Sequence, residues 1–222
     1  MSRFLDTRRH LELFDPHTFN DKVTVIGAGA TGSWLVLQLA NLGITDITVY
    51  DFDIVEEHNV PNQLYGIKHV GMPKVEALRE IIKEYTGTEI KIKNEKFTSG
   101  RLSGYVFIMV DSMAGRKEIY ENAVKMKRSV KLLVEPRMGL DVGRVYNVDP
   151  MDVRQLEKYE ECFYTDEEAE VSACGTSMTV ITTAMAVASW CARQLINHHT
   201  REELDNEILI DFKYNNIIAT KW

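Results

Sequence analysis

The sequence predicts an α/β protein with a Rossmann-like, three-layer fold, whose mixed sheet is parallel in its N-terminal half and antiparallel in its C-terminal strands. Three observations support this prediction. A strand, a turn, a helix and a second strand follow one another within residues 22–63. The apolar runs at 105–110 and 130–134 are continuous, as in strands that are buried on both faces of a parallel sheet. The tail at 208–222 contains two β-rich runs, which predict a terminal hairpin.

The elements are predicted in chain order from the spacing of apolar residues and from the turn residues between them. Residues 1–21 are predicted as a short helical lead-in that stops at Asp15 and Pro16. Residues 150–172 are acidic and irregular, without a clear period. Elsewhere, strands are predicted at 23–26, 47–50, 89–92, 105–110, 130–134 and 139–148, and helices at 34–42, 73–85, 117–127 and 178–196.

The composition is that of one globular domain spanning residues 1–222. Hydrophobic residues make up 45% of the chain, which excludes wholesale disorder. Single domains commonly reach about 200 to 250 residues. The formal charge is −7, from 33 acidic and 26 basic residues, which argues against broad nucleic-acid binding through neutralisation of phosphates.

The cysteines and the N-terminal residues favour a cytoplasmic protein. Three cysteines leave one unpaired in any disulfide scheme, and none lies in a CxxC pair, which suits a reducing compartment. The first ten residues contain no apolar core of signal-peptide length. The long apolar stretch at 178–196 contains six polar or charged side chains, so it is predicted to be a buried helix rather than a membrane span.

A glycine-rich turn joins the first strand to the first helix. Residues 27–32 read GAGATG, where Gly27 permits a tight turn, Gly29 lets the backbone approach a phosphate, and Gly32 brings the helix close to the strand. The helix start aims free N–H groups at an anion. Asp51, after the second strand, is placed to accept a hydrogen bond from a ribose hydroxyl. The unit predicts a nucleotide site, and on the glycines alone an NAD-dependent oxidoreductase is the common interpretation.

The residues that follow favour a different class of protein. They read DFDIVEEHNVPNQ, then GMPK after a short loop, and later DSMAGR. This series resembles the ATP-binding stretch of the ThiF/MoeB/HesA family, relatives of the ubiquitin-activating enzymes, whose members read roughly DxDxVxxxNxxRQ, GxxK and DNxxxR. The ordered matches are Asp51, Asp53, Val55, Asn59, Gln63, Gly71, Lys74, Asp111 and Arg116.

The resemblance implies an ATP-dependent adenylyltransferase, a ubiquitin-like modifier activating enzyme that converts a carboxylate into an acyl-adenylate. ATP and Mg²⁺ are the implied cofactors, and the implied acceptor is the C-terminus of a small ubiquitin-like or sulfur-carrier protein. Residues 150–175 would then form a crossover loop over the active site. The resemblance also implies a homodimer, in which an arginine of the lead-in reaches the partner's site. Arg8 and Arg9 both fit the spacing, and Arg9 is preferred.

The resemblance further assigns roles to individual residues. Arg9, Lys74 and Asp111 are the implied catalytic residues, and Asp111 would position Mg²⁺. Nucleotide binding is implied for Gly27, Gly29, Gly32, Asp51, Asp53, Asn59, Gln63, Lys74 and Asp111, with Asp51 at the ribose and Asn59 and Lys74 at the triphosphate.

Two positions depart from the family pattern. Asn62 stands where the family has arginine, and Ser112 stands where it has asparagine. Either another arginine supplies the missing charge, with Arg137 as a candidate, or adenylation is weakened. Three alternatives therefore stay open: a nucleotide-binding pseudoenzyme or NAD-binding module, a tRNA-modifying enzyme like the TcdA branch of the family, and an oxidoreductase. The acidic charge makes tRNA the least favoured acceptor.

Each candidate residue also has a structural interpretation. Lys74 begins a helix, where a positive charge is unfavourable for the helix dipole, so a ligand role is favoured over that of a solvated lysine. Asp111 ends an apolar strand, where its carboxylate suits Mg²⁺, and the alternative is a helix N-cap. His58 and His69 lie in a loop, where histidines are more often merely polar.

The cysteines are weaker candidates. Cys174 is a possible thioester-forming nucleophile, because a cysteine before a helix gains from the helix dipole, which lowers its pKa. Cys162 is less favoured for this role, and Cys191 is predicted to lie in the core. The zinc-binding CxxC pairs of the family are absent, so no structural zinc site is expected.

Overall fold

A computed structural model describes residues 5–165 and 179–222. In these residues, the strands are β1 (Val23–Ile26), β2 (Ile47–Tyr50), β3 (Lys91–Lys93), β4 (Gly104–Ile108), β5 (Val130–Met138), β6 (Val142–Val148), β7 (Glu207–Asp211) and β8 (Asn216–Thr220). The helices are α1 (Ala30–Asn41), α2 (Lys74–Thr86), α3 (Met113–Ile119), α4 (Val153–Glu161) and α5 (Ile181–His199). A π-helical turn, Tyr120–Val124, continues α3.

The strands form one mixed sheet in the order β3-β2-β1-β4-β5-β6-β7-β8. The pairs from β3 to β5 are parallel, and the pairs from β5 to β8 are antiparallel, which confirms the predicted fold class. The chain moves outward from β1 through β2 and β3 and then returns to place β4 on the other side of β1. Doubly wound sheets bind ligands at the carboxyl ends of their strands at such a reversal.

Helices cover both faces of the sheet. Successive strand residues point to opposite faces, so Val25 packs with α1, α2 and α5 while Ile108 packs with α3 and α4. The two apolar clusters fix the three layers. In the described parts of the chain, no helix is both long and apolar enough to cross a membrane.

Helices α1 and α5 run in the same direction, with both N-termini at the carboxyl edge of the parallel strands. The Thr31 hydroxyl in α1 contacts the Met138 sulfur at the end of β5, 3.4 Å away, and the Thr183 hydroxyl in α5 donates to the Leu140 carbonyl. At the other end of α5, His198 Nδ1 lies 2.9 Å from the hydroxyl of Tyr105, near the start of β4. Two helix N-termini therefore face the edge where a ligand is expected.

Two predicted segments differ in the structure. The lead-in forms turns at residues 8–13 and 16–18 instead of a helix, because Phe14 and Phe19 are buried and pack against the His199 ring. The stretch predicted to be irregular contains helix α4, which Asp152 caps by accepting from the N–H groups of two following residues. Residues 166–178, which include the last ten residues of the predicted crossover loop, lie outside the described residues.

Candidate functional site

The glycine turn packs directly against the chain beyond β4. Gly27 has φ +105°, and a Cβ atom there would lie 2.6 Å from the Met109 carbonyl oxygen. A Cβ atom on Gly32 would lie 2.0 Å from the Gly27 carbonyl oxygen. Beside Gly29, by contrast, no atom lies within 4 Å of a Cβ position. The tight turn and the close contact are present as predicted, and the open space is at the position predicted to approach a phosphate.

Asp51 anchors this turn from the end of β2. One carboxylate oxygen accepts the Ala28 N–H at 2.6 Å, and the other accepts the Asp53 N–H at 2.8 Å. The Tyr65 hydroxyl donates to the Ala28 carbonyl at 2.7 Å, so the two peptide groups that flank the Ala28 Cα atom are each held by a side chain. Burial raises the pKa of Asp51, against the two N–H groups and the charge of Lys74. Sequence reasoning missed Tyr65, because no local pattern connects it to the turn.

Lys74 is not a solvated lysine. It begins α2, its side chain is only 9% exposed, and its ammonium group lies 2.8 Å from Asp53 Oδ2. The Lys74 N–H also donates to the Asp53 carbonyl at 2.9 Å. Asp53 is about half exposed, so the Lys74–Asp53 ion pair extends from a buried ammonium group to a carboxylate at the protein surface.

The loop between β2 and α2 is fixed on the first turns of α1. The Ser33 hydroxyl accepts the Leu64 N–H at 3.1 Å, and the Trp34 indole donates to the Asn62 carbonyl at 3.3 Å. Asn59 is buried, and its side-chain oxygen accepts the Glu56 N–H at 2.9 Å. The fold thereby brings this loop to the edge where α1 begins.

Gln63 and Asn62 each present a buried side-chain oxygen that has no hydrogen-bond partner among the described residues. Gln63 is 9% exposed, and the other end of the Asn62 amide donates to the Thr179 hydroxyl. Buried polar atoms are rarely left unpaired, so such atoms mark a place for a ligand or water. Asn62 supplies no positive charge, and Thr179, just before α5, is a partner that sequence reasoning did not identify.

Arg137 does not replace the missing arginine. Its guanidinium group is buried and donates to both oxygens of Glu135, through Nε at 3.1 and 3.2 Å and Nη2 at 2.9 Å. Arg116, the last residue of the motif series, is also buried and donates to Glu135 and to the Pro136 carbonyl. Burial acts to raise the pKa of Glu135, but the two guanidinium charges hold it below its usual value. Both arginines are therefore committed to an internal ion cluster.

Asp111 lies just beyond β4 with an exposed side chain. The alternative role as N-cap of α3 is wrong, because Ser112 is the N-cap and its hydroxyl accepts the Gly115 N–H at 3.1 Å. The Met109 N–H donates to the Ile26 carbonyl at 2.7 Å, which continues the β1–β4 ladder toward the glycine turn. Asp111 therefore flanks the turn on the side opposite Asp51. Its predicted role at Mg²⁺ stays a prediction.

His58 and His69 both contact nearby residues of their own loop. His58 is exposed and lies 3.3 Å from Glu56, and His69 is buried with Nδ1 accepting the Gly66 N–H at 2.9 Å. His69 Nε2 has no hydrogen-bond partner within the described part of the chain. In the residues that the structure describes, no group of three or more His, Cys, Asp or Glu side chains is placed to hold a metal ion.

The cysteines gain no support as nucleophiles within the described residues. Burial raises the pKa of Cys162, whose thiol donates to the Lys158 carbonyl at 3.3 Å. Cys191 is completely buried, as predicted, and burial raises its pKa further. Cys174 lies outside the described residues, so its role as a thioester cysteine stays a prediction.

The two lead-in arginines differ. Arg8 is bonded to Asp6, with Nη2 at 2.7 Å from Oδ2, whereas Arg9 is exposed and forms no ion pair with residues 5–165 or 179–222. The next residue, His10, lines a shallow cavity with residues from the C-terminal halves of α1 and α5, at the edge of the sheet away from the glycine turn. Arg9 is therefore distant from the site of its own chain.

Comparison with known proteins identifies the family. A model of the ThiF family matches residues 15–218. The chain belongs to the ThiF family. Among its ThiF-like relatives are the probable adenylyltransferase/sulfurtransferase MoeZ of Mycobacterium tuberculosis, 41% identical over 64 residues, and tRNA threonylcarbamoyladenosine dehydratase 2 of Saccharomyces cerevisiae, 41% identical over 81 residues. These matches cover 28% and 36% of this chain but only 16% and 18% of the relatives.

Solved structures share the fold at low sequence identity. MccB in complex with N-formylated MccA matches with a TM-score of 0.72 at 14% identity, over 93% of this chain and 66% of that chain. This likeness shows that the two chains share a fold. The chain thus spans less than two thirds of the length of these relatives and structures.

Proposed function

We propose that this ThiF-family chain is an ATP-dependent adenylyltransferase that activates a carboxylate. The proposed carboxylate is the C-terminus of a small ubiquitin-like or sulfur-carrier protein. One arrangement supports the proposal above all. The open glycine turn is bracketed by Asp51 and the Asp53–Lys74 pair on one side and by Asp111 on the other. Relatives named as adenylyltransferases, such as MoeZ, are consistent with it.

The proposed chemistry needs no protein nucleophile. A carboxylate oxygen of the acceptor attacks the α-phosphorus of ATP, the bond to the bridging oxygen breaks, and pyrophosphate leaves with that bonding electron pair. Catalysis then rests on positioning and on neutralising charge. Gly27, Gly29 and Gly32 would shape the phosphate cradle at the N-terminus of α1. Asp51 would accept from the ribose, and Asn59, Gln63 and Lys74 would contact the nucleotide.

A change of partner at Lys74 fits this role. Its ammonium group is held by Asp53, which is half exposed and has a carboxylate that water can solvate once it is released. A triphosphate carries more negative charge than one carboxylate, so it can draw the lysine away from Asp53. Lys74 would then balance charge on the leaving pyrophosphate.

The donor set is suited to Mg²⁺ that arrives with ATP. Mg²⁺ is usually bound by one or two carboxylates together with substrate phosphates and water. The exposed Asp111 carboxylate, free of helix capping, meets that requirement, and the described residues provide no larger cluster of ligands. Bound Mg²⁺ would neutralise phosphate charge, and Asp111 is the residue that would hold it.

We further propose that the active form is a homodimer whose Arg9 acts on the partner's site. Helix α1 contains no charged residue, and Arg193 is the single Asp, Glu, Lys or Arg of α5. Such depletion of charge is typical of interface cores. A two-fold axis that lies in this interface, perpendicular to the axes of the two helices, would set them antiparallel to their copies in the partner. The lead-in of one copy, at the C-terminal end of α1, would then meet the glycine turn of the other. Helix α1 spans about 18 Å, so the reach is short.

A second copy would also supply what the described site lacks. Asn62 is uncharged, and Arg116 and Arg137 are committed to Glu135. Arg9 of a partner would bring a free guanidinium group to the phosphates.

A cytoplasmic location is part of the proposal, because a reducing compartment keeps the cysteines free.

Exchange of labelled pyrophosphate into ATP tests the proposed activity. The proposal requires exchange that depends on Mg·ATP and on a small protein with a free C-terminal carboxylate. Tight ATP binding without exchange for any such acceptor would instead support the pseudoenzyme. Tight NAD binding without ATP binding would support the NAD-binding module or the oxidoreductase, and both outcomes would overturn adenylation.

A tRNA-modifying activity is the second candidate. The yeast relative named as a tRNA threonylcarbamoyladenosine dehydratase favours it, whereas the net charge of −7 opposes it. Exchange supported by tRNA bearing a carboxylate, and not by a protein acceptor, would decide for this candidate.

A further inference from the structure

Glu135 is the most completely buried charged residue in the part of the chain that the structure describes. It lies on β5, its exposed fraction is 0%, and its carboxylate accepts hydrogen bonds from three different elements. The donors are Arg116 on α3, Arg137 on β5 and the Tyr159 hydroxyl on α4, the last at 2.7 Å. The carboxylate therefore lies at the junction of two helices and the central sheet.

Arg116 connects Glu135 to the chain around Asp111. Besides its bond to Glu135, its Nη1 group donates to the Pro136 carbonyl at 2.8 Å and lies 3.5 Å from the Ile108 carbonyl. Ile108 ends β4, and Asp111 lies in the short connection between that strand and α3. The guanidinium group therefore ties both ends of the Asp111 connection to one fixed point.

Arg137 connects the same carboxylate to the end of α4. Its Nη1 group donates to the Cys162 carbonyl, and its guanidinium carbon lies 4.6 Å from the centre of the Tyr146 ring and 5.6 Å from that of Phe163. The Tyr164 ring centre is 5.5 Å away. One arginine thus combines a carbonyl contact with cation–π contacts that hold residues 162–164.

A buried ion cluster is a poor source of stability as such. The cost of removing charges from water cancels much of their attraction, and well-packed apolar side chains often do as well or better. Charged groups differ from apolar ones in the direction of their contacts, and this cluster directs its donors at three backbone carbonyls. Its geometry suits a role in orientation.

We propose that Glu135 is a positioning residue of the site, which holds the Asp111 connection through Arg116 and residues 162–164 through Arg137. The inference rests on the adenylation proposed above, because it assigns Asp111 a part in that reaction. Glu135 itself does not touch the nucleotide. It acts by keeping the carboxylate of Asp111 at a constant position relative to the glycine turn.

Two buried tyrosines provide a matched pair of variants for the test. The Tyr159 hydroxyl donates to Glu135 and the Tyr120 hydroxyl donates to Glu160, both at 2.7 Å, and both rings are completely buried with centres 5.0 Å apart. Tyr159→Phe and Tyr120→Phe therefore remove equivalent groups from one aromatic cluster. Glu135→Gln and Glu160→Gln form a second pair, and Tyr159→Phe keeps the test decisive if Glu135→Gln does not fold.

Hydrogen–deuterium exchange of residues 109–116 is the first measurement, because it needs no activity. We expect Tyr159→Phe to speed amide exchange there at least two-fold, and Tyr120→Phe to leave it unchanged. In pyrophosphate exchange, Tyr159→Phe should lower kcat about ten-fold with KM for ATP within two-fold, since small misplacements cost rate more than binding. Equal amide exchange in the two tyrosine variants would overturn the inference, as would equal kcat. A wild-type chain without pyrophosphate exchange would overturn the proposed function instead, and amide exchange would still decide the role of Glu135.

Discussion

The position of Lys74 is unfavourable for a lysine unless a ligand binds beside it. A lysine at a helix N-terminus is opposed by the helix dipole, and a buried ammonium group must recover the cost of leaving water. Here a single half-exposed aspartate balances it. Burial and the helix dipole both disfavour this cation, and the proposed triphosphate, which carries more negative charge than Asp53, would account for its position beside the glycine turn.

Lys74→Ala is expected to lower the rate of pyrophosphate exchange by about 100-fold, because the loss of one preorganised charge or donor typically costs that much. Lys68→Ala is the matched control, since Lys68 is an exposed lysine that also lies near a carboxylate, 3.6 Å from Glu84. The fold of both variants is checked by circular dichroism. Wild-type exchange in Lys74→Ala would show that the residue has no part in the reaction.

Sequence reasoning located residues whose position follows from local spacing. Gly27, Gly32, Asp51 and Lys74 sit in short motifs and lie together around the glycine turn, and their roles at a nucleotide stay predictions. It failed for Arg137, because the predicted strand ended at residue 134, whereas β5 continues to Met138 and buries Arg137 beside Glu135. Tyr65 and Thr179 were missed because their contacts join segments that are distant in sequence.

The strand–turn–helix unit from β1 to α1 separates two uses of glycine. At Gly32 the missing Cβ atom is required by the protein itself, since the Gly27 carbonyl occupies the space. At Gly29 the structure leaves the space open. The same motif thus contains one glycine for packing and one available for a ligand.

Substitution of these two glycines should separate stability from binding. Gly32→Ala is expected to destabilise the fold by about 3 kcal/mol, because backbone atoms must move. Gly29→Ala should change the stability by less than about 1 kcal/mol and weaken ATP binding at least ten-fold. Thermal denaturation and calorimetric titration with ATP check the two effects. Full ATP affinity in Gly29→Ala would contradict a phosphate at this turn.

The cluster that joins α3, β5 and α4 predicts a pH dependence of stability. The pKa of Glu135 is lowered from its ordinary value of 4.5, so its ionised form is favoured by folding. This contribution is complete above pH 4.5 and is lost as the pH falls through the lower, folded-state pKa. The melting temperature of the wild type should therefore fall more steeply below pH 4.5 than that of Glu135→Gln. Parallel curves for the two proteins would contradict the lowered pKa.

The secondary structure was predicted best where apolar patterns are long. Strands β1 and β2 have the predicted bounds, and β4 and α5 differ at their ends by up to three residues. The helix predicted for the lead-in was wrong, because Phe14 and Phe19 pack against His199 at the end of α5. These two phenylalanines show no helical spacing in the sequence. Helix α4 was missed because its buried face depends on Leu156 and Tyr159 alone.

The whole molecule places its glycine turn where the chain reverses between β1 and β4, and the adjacent helices α1 and α5 contain one Asp, Glu, Lys or Arg residue between them, Arg193. A monomer would expose the face that these helices form to water and would lack a free guanidinium group near the phosphates in the described residues. The proposed homodimer meets both requirements with one interface. Sequence alone suggested the partner's arginine by resemblance, and the fold supplies the face on which a partner could bring it.

A complementation experiment tests the dimer. Arg9→Ala and Asp111→Ala should each lose pyrophosphate exchange alone, by about 100-fold. Mixed one to one and allowed to exchange subunits, they should recover about a quarter of wild-type activity, because half the dimers are mixed and each has one intact site. Arg8→Ala is the control and should stay active. Mixtures without recovery would show that Arg9 does not act across an interface.

A crystal structure with Mg²⁺ and a non-hydrolysable ATP analogue tests the central claim most directly. The account predicts the triphosphate over Gly29, the Lys74 ammonium group about 3 Å from a phosphate oxygen, and the Asp111 carboxylate at the metal, directly or through water. A nucleotide bound elsewhere, with Lys74 still on Asp53 and Asp111 turned away from the phosphates, would contradict it.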